Sequence, residues 1–198
     1  MFMCPAHISL EEEVSPGDAA GDAAVAIKDR TMTTRLENLL GALGVALVDS
    51  MDNAFDKACA VGDSAPAALI LIHENPDTRI EGLARYLALR HTGPVRLVDR
   101  LEERSWVVRE ACDDKRAGVL ALTEYGERVA TRLQKSRHGS LSRALSGIDA
   151  FDRQILERLV SRMLVNLVPD KAAADRTCRY CDGAACDQAG CPLDGCEA

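Results

Sequence analysis

Two short helices and a hairpin follow one another between residues 78 and 122, and this order constrains the fold more than any other feature. The segment TRIEGLARYLAL predicts a helix that opens with a capping box at Thr78 and Glu81. After a polar turn, residues 94–103 predict a second helix, whose first turn tolerates Pro94 because the amides there have no helical partner. Two short helices joined in this way form a helix-turn-helix.

A β-hairpin is predicted directly after the second helix. Residues 106–109 predict one strand, EACDDKR a tight charged loop, and residues 117–122 the returning strand. A hairpin in this position makes the unit a winged helix. A further helix starts at Thr123 and is expected to run to about Lys135, where the stretch SRHGS interrupts it.

Long apolar stripes lie on both sides of this unit. The first predicts a helix over residues 35–60 and consists of Leu36, Leu40, Leu43, Leu47, Met51 and Phe55. The second predicts a helix over residues 147–168 and consists of Ile148, Phe151, Ile155, Leu159, Met163 and Leu167. Stripes of this length favour pairing with a second chain. Residues 1–30 show no lasting period and are predicted to be a disordered leader.

The composition excludes several classes of function. The longest apolar run, AALILI at 67–72, is too short to span a bilayer, and the N-terminus lacks the pattern of a signal peptide, so we expect a cytoplasmic protein without membrane contact. The chain has no nucleotide-binding glycine loop, no Gly-x-Ser-x-Gly elbow and no His-Glu-x-x-His motif. We therefore expect that it is not an enzyme.

The segment LARYLALRHTGPVRLVDRLEERSWVVREACDDKRAGVLALTEYG, residues 83–126, resembles the MarR family of bacterial transcriptional regulators. Its VRLVDRLEE, V-x-R, DKRA and LTEYG elements are similar to that family's recognition helix, first wing strand, wing and following helix. The resemblance implies a mainly α fold with a small β-wing over residues 31–170 and long N- and C-terminal dimerisation helices. The DNA-binding lobe would occupy about residues 62–122.

The resemblance also implies a homodimer that binds a pseudo-palindromic double-stranded DNA operator, with a bias toward repression. A small-molecule inducer, or the redox or metal state of the tail, would control the spacing between the two DNA-binding lobes. The chain departs from the family's pattern in and around the recognition helix. Ala88 and Ser105 replace glycines, Arg90 replaces a serine that would cap that helix, and Gly93-Pro94 replaces a more helix-favouring pair.

The charge of the chain is distributed as a DNA-binding protein requires. Between Arg79 and Arg116 there are nine Lys or Arg and seven Asp or Glu, a formal +2, while the whole chain carries −7 and its remainder therefore −9. The residues predicted to reach base edges and phosphates at the start of the recognition helix are Arg90, His91, Thr92 and Arg96. Arg100 and Arg109 are predicted phosphate contacts. By resemblance, Asp114, Lys115 and Arg116 form the wing tip, where the arginine enters the minor groove.

Residues 171–198 form a cysteine-rich tail that we predict to bind metal. The predicted ligands, with the spacing C-x2-C-x4-C-x4-C, are Cys178, Cys181, Cys186 and Cys191. Cys196 is a possible alternative ligand. Four thiolates suit a structural zinc ion, which is slightly favoured, or a 4Fe–4S cluster. Redox-active free thiols are the third interpretation.

A second class of function is compatible with the same sequence. The winged helix could bind protein instead of a specific DNA sequence, as part of a metal-dependent interaction module. The basic residues around the recognition helix distinguish the two classes, because only the DNA-binding hypothesis requires them.

Overall fold

The structure, a computed structural model, describes residues 18–59, 64–110 and 118–194. Eight helices and two strands occupy these ranges. In chain order they are α1 (Asp18–Ala58), α2 (Ala65–Glu74), α3 (Ile80–Tyr86), α4 (Gly93–Glu103), β1 (Val107–Glu110), β2 (Val119–Leu122), α5 (Glu124–Ala144), α6 (Ala150–Leu167), α7 (Lys171–Thr177) and α8 (Gly183–Ala189). The prediction of a mainly α fold with a small β-wing is confirmed.

The chain divides into two compact units, one up to Ala46 and the other from Leu47 onward. In the first unit, α1 exposes the leucines of its apolar stripe, among them Leu36 and Leu43 at about half of their surface. The second unit contains the remaining elements and one main hydrophobic core. None of the described helices is long and apolar enough to cross a membrane.

The main core is built around α2, which packs against α5. Every residue of α2 from Ala65 to Ile72 is buried, as its nearly continuous apolar sequence requires. Leu83 of α3, Leu101 of α4 and Leu133 of α5 contribute fully buried side chains to the same core. The helix-turn-helix therefore shares one hydrophobic core with α2 and α5.

The wing is a two-stranded antiparallel sheet in which Val107 pairs with Leu122. A short third segment joins it, because Arg79 bridges to Val119 and the amide of Leu120 donates to the carbonyl of Thr78 at 2.8 Å. The prediction of a capping box at Thr78 and Glu81 is therefore wrong, because Thr78 does not cap α3.

With its carbonyl engaged by the wing, Thr78 precedes the helix, and its hydroxyl donates to the carbonyl of Asn75 at 2.7 Å. Arg79 takes the N-cap position of α3 without a side-chain bond to the helix, which begins at Ile80.

The predicted break at SRHGS does not occur, because α5 continues through these residues to Ala144. Ser140 is 2% exposed, and its hydroxyl donates to the carbonyl of Ser50 at 3.2 Å. A single glycine costs a helix only about 1 kcal/mol. Packing against the second half of α1 outweighs that cost here, and local sequence could not show it.

The helix α1 begins at Asp18, so residues 18–30 are helical although they fall within the predicted leader. The sequence DAAGDAAVAIKD is rich in alanine, which has the highest helix propensity. Residues 1–17 lie outside the described residues.

Ala88 and Ser105 adopt left-handed backbone conformations, with φ of 51° and 55°. Ala88 lies in the turn after α3 and Ser105 between α4 and β1. A side chain with a Cβ costs about 1–2 kcal/mol in this region, whereas glycine adopts it without that cost. These are two of the positions at which the sequence departs from the pattern that it resembles.

Replacing Ala88 or Ser105 with glycine is therefore expected to stabilise the protein by about 1 kcal/mol at each position. Urea unfolding followed by circular dichroism, at one fixed protein concentration, would measure the change. Ala84→Gly, inside α3, is the matched control and should destabilise the protein by about 1 kcal/mol. Equal destabilisation by all three substitutions would show that the left-handed conformation carries no strain.

Candidate nucleic-acid interface and cysteine cluster

The helix α4 is divided into a buried face and a charged face. Leu97, Val98 and Leu101 anchor it in the core. Arg96 and Arg100 lie on the opposite, exposed face. Among the described residues, neither arginine forms an ion pair or a hydrogen bond with another side chain. Their guanidinium groups are therefore available to a ligand outside the chain.

Three further residues that were predicted to contact DNA lie exposed in the turn before α4, namely Arg90, His91 and Thr92. His91 has a left-handed backbone, with φ of 53°. Thr92 takes the N-cap position of α4 but makes no side-chain bond to the helix. Its hydroxyl is thus free to meet a phosphate, whereas the amide of Gly93 donates to the carbonyl of Arg90 at 3.0 Å and Pro94 has no amide hydrogen.

Arg109 occupies a different environment from the other arginines. From β1 it reaches back to α4, where its Nη2 donates to Asp99 Oδ1 at 2.7 Å and its Nη1 donates to Glu102. The predicted phosphate contact by Arg109 stays a prediction. In the structure Arg109 instead joins the wing to α4, a contact that we call the Arg109 brace. Its positive charge compensates the two carboxylates, which would otherwise repel phosphate.

The wing tip, with the predicted residues Asp114, Lys115 and Arg116, lies in 111–117, outside the described residues. These residues connect β1, which ends at Glu110, to β2, which begins at Val119. Trp106, at the base of the wing, is 6% exposed and belongs to the main core.

The tail carries its four predicted ligands on two short helices and the turns beside them. Cys178 ends α7, and the amide of Cys181 donates to the carbonyl of Cys178 at 2.8 Å in a tight turn. Cys186 lies on α8, and Cys191 follows that helix. All four side chains are partly buried.

All four cysteines line one cavity of about 440 Å³. The lining also includes Glu74 from α2 and Tyr86 from α3. Burial raises the pKa of the Cys178 thiol to about 12, and the neighbouring thiols of the cluster act in the same direction. The pKa of Cys186 is raised by burial and then by the same neighbours, against a smaller opposing effect of Arg137.

The described cysteines of the tail form no disulfide. Within the described ranges, no three Cys, His, Asp or Glu side chains are gathered closely enough to hold a metal ion. Zinc and a 4Fe–4S cluster both stay predictions, and Cys196 lies outside the described residues.

The tail is attached to the helix-turn-helix through Asp175 of α7, which packs against α3. The Asp175 side chain is 2% exposed. Its Oδ2 lies 2.7 Å from Arg85 Nε, and its Oδ1 lies 3.3 Å from Lys171 Nζ. Hydrogen bonding to Asp175 and its charge raise the pKa of Lys171. Oδ2 accepts no well-aligned hydrogen bond within the described chain, although the guanidinium of Arg85 lies beside it.

Two further contacts attach the tail to the core. The ring of Tyr180 packs on Phe55 of α1, with centroids 5.2 Å apart. Glu74 joins α5 and α8, because its Oε1 accepts from Gln134 Nε2 at 2.8 Å and its Oε2 accepts from the amide of Gly183 at 3.0 Å. Sequence reasoning missed these contacts, because each joins residues far apart in the chain.

Comparison with solved structures decides the fold. A MarR family protein from Bacillus stearothermophilus superposes with a TM-score of 0.60 at 21% identity, over 70% of this chain and 96% of that protein. The YusO protein of Bacillus subtilis gives a TM-score of 0.59 at 17% identity, over 68% of this chain and 95% of YusO. The chain has the MarR winged-helix fold.

One curated relative connects the MarR fold to a function. The transcriptional repressor MprA of Escherichia coli strain K12 is 28% identical over 118 residues, which are 58% of this chain and 67% of MprA. No protein-family model matches the chain. The identity with the solved structures above is below 25%, so those structures establish the MarR fold and not the ligands.

Proposed function

We propose that this protein is a sequence-specific DNA-binding transcriptional regulator of the MarR type. The observation that carries the proposal is the charged face of α4, where Arg96 and Arg100 are exposed and free of partners within the described chain. The N-terminal part of such a helix reads base edges in the major groove, and arginine is the residue that most often reads guanine there.

The surroundings of α4 support this proposal. Asp99 and Glu102, two of the three carboxylates of α4, are both held by Arg109, and the third, Glu103, is the last residue of the helix. The two-stranded wing directly follows the recognition helix, as binding in the adjacent minor groove requires. Asp114, Lys115 and Arg116 would provide that contact.

The exposed apolar face of α6 supports the proposal that the protein is a homodimer. In the described chain α6 has no buried residue, and Phe151 and Leu167 on it are 70% and 77% exposed. Apolar faces of this length are covered when a second chain packs against them. Two copies related by a two-fold axis would place two recognition helices on a pseudo-palindromic operator.

Repression is the proposed direction of control, because MprA is a transcriptional repressor. A small-molecule inducer, or the redox or metal state of the tail, would release the operator by changing the spacing of the DNA-binding lobes. We infer no catalytic activity.

The test starts from genomic fragments that the wild-type protein selects, with the best fragment used as the probe. Arg96→Ala with Arg100→Ala is expected to weaken binding by about thirtyfold or more, because removing each arginine from the DNA interface costs about 1–3 kcal/mol. The dependence of affinity on salt should fall by about one unit of slope for each phosphate that the variant no longer neutralises. Band shifts at three salt concentrations measure both effects.

Arg128→Ala is the matched control, because Arg128 is an exposed arginine on α5 that pairs with Glu124. It should leave affinity within about twofold, since an exposed pair contributes little. Intact binding by the double variant would contradict the proposal and favour a protein partner for the winged helix. Selection of no fragment by the wild-type protein would have the same meaning.

A further inference from the structure

The four cysteines of the tail come from separate elements yet face the same cavity of about 440 Å³. Cys178 and Cys181 belong to the turn after α7, Cys186 to α8, and Cys191 to the turn after α8. Their thiols are near enough to act on one another electrostatically. An ordinary hydrophobic packing role would not need four thiols directed into a shared, partly open space.

The tail is also too small to hold this arrangement by its own core. Among the described residues its hydrophobic cluster has three buried members, Val168, Ala174 and Leu193, with Cys178 and Cys191 packed at the edge. A segment with so little core of its own is stabilised strongly by a crosslink such as a disulfide or a metal. The described cysteines form no disulfide. A bound metal would supply the crosslink.

We propose that Cys178, Cys181, Cys186 and Cys191 ligate one metal centre, and that this centre holds the tail against α2 and against α3, the first helix of the helix-turn-helix. All-cysteine ligation suits two thiophilic centres, a zinc ion and an iron–sulfur cluster. Metal binding requires thiolates, so loading the site releases protons.

The two centres require different arrangements of the thiols. A single zinc ion needs all four sulfurs about 2.3 Å from one point, whereas a 4Fe–4S cluster places each thiolate on a different iron. In the described chain the Cys178 and Cys186 thiols are each close enough to interact with the Cys181 thiol, but no three ligand side chains are gathered closely enough to hold a metal ion. Loading with either centre would draw the four thiols together, and metal analysis identifies which centre it is.

Three contacts connect the cysteine cluster to the rest of the protein, so that the metal centre would affect the helix-turn-helix. The effect on DNA binding rests on the proposed function. Gly183, between Cys181 and Cys186, donates its amide to Glu74 of α2 at 3.0 Å. Three residues before Cys178, Asp175 is paired with Arg85 of α3. Tyr180, between Cys178 and Cys181, packs on Phe55. Loss of the centre would loosen all three contacts and with them the support of α3.

The first experiment is metal analysis and an absorption spectrum of the full chain purified without oxygen. The proposal would be supported, and the centre identified, by either of two results. One is four irons with sulfide per chain and broad absorption at about 400 nm, and the other is one zinc per chain without colour. Metal-free protein with four titratable thiols or two disulfides in the tail, and no uptake of zinc or iron on reconstitution, would overturn it.

Variants separate the ligands from other cysteines. Cys186→Ser should lose at least nine-tenths of the bound metal, whereas Cys59→Ala, which removes a buried thiol from the main core, should retain it. Hydrogen exchange is read in the same samples. Faster exchange over 171–194 after removal of metal from the wild-type chain is expected, so the test does not depend on the folding of a variant. Retention of metal by Cys186→Ser would remove that residue from the site and contradict a four-cysteine centre.

The effect on DNA is measured separately, with the genomic fragment selected by the wild-type protein. Loaded and metal-stripped protein are expected to differ at least tenfold in affinity, and reloading should restore it. Equal affinities would overturn the coupling while leaving the metal centre in place. Absence of DNA binding in both forms, with metal still bound, would instead count against the proposed function.

Discussion

Replacing Gly126 with alanine is expected to destabilise the protein by about 3 kcal/mol, which is a large part of the stability of an ordinary domain. A Cβ at this position would lie 1.9 Å from the carbonyl oxygen of Trp106. The same carbonyl accepts from the amide of Thr123 at 3.0 Å, and the Thr123 hydroxyl caps the helix by accepting from the amide of Gly126 at 3.0 Å. Making room for a methyl group would therefore disturb the joint between the wing and α5.

The same helix provides the control. Gly139 of α5 has open space where a Cβ would lie, so Gly139→Ala should stabilise the protein by about 0.5–1 kcal/mol. Urea unfolding of both variants at one protein concentration measures the difference, since an oligomer's stability depends on concentration. A Gly126→Ala protein as stable as the wild type would show that the approach of α5 to Trp106 is looser than the structure describes.

Removal of both cations from Asp175, by Arg85→Met with Lys171→Met, is expected to release the tail. The carboxylate would stay buried without a compensating charge, which costs at most about 3 kcal/mol here because Arg85 and Lys171 are more than half exposed and water can partly replace them. Amide exchange over residues 171–194 should then accelerate by up to about a hundredfold, while exchange in α2 and α5 stays unchanged.

Arg128→Met serves as the control for the loss of an arginine side chain from an ion pair. Its partner Glu124 is 93% exposed, so this pair contributes only a few tenths of a kcal/mol. Unchanged exchange in the tail of the double variant would mean that Tyr180 and Gly183 hold the tail without help from Asp175. Faster exchange throughout the chain would mean that α7 supports the main core directly.

The order of elements was predictable from the sequence because each one carries a local signal. The amphipathic pattern of α4 and the pair of apolar strands on either side of a charged loop each point to one structure. The start of α3 was not predictable in the same way. Thr78 has the residue type and spacing of a cap, but its carbonyl is used by β2, which lies about forty residues later.

The candidate sites were predictable as residues but not as contacts. The spacing of the tail cysteines indicated a cluster, and the structure places all four on one cavity. Nothing local in the sequence shows that Arg109 bonds to Asp99 and Glu102. The tertiary fold determines which polar groups a long side chain can reach. The attachment of α7 to α3 is hidden for the same reason. The sequence separation between Arg85 and Asp175 is too large for any periodic pattern to detect.

The brace formed by Arg109 has a consequence for how such a protein can change over generations. The helix α4 is held in position by the bonds of Arg109 and by the buried side chains of Leu97 and Leu101. Its position therefore does not depend on Val95 and Arg96, which face outward. Under the proposed function, substitutions at Val95 or Arg96 would therefore alter the preferred DNA sequence without a loss of folding. Descendants of one ancestral gene would then acquire new target genes by changing a few outward side chains on an unchanged support.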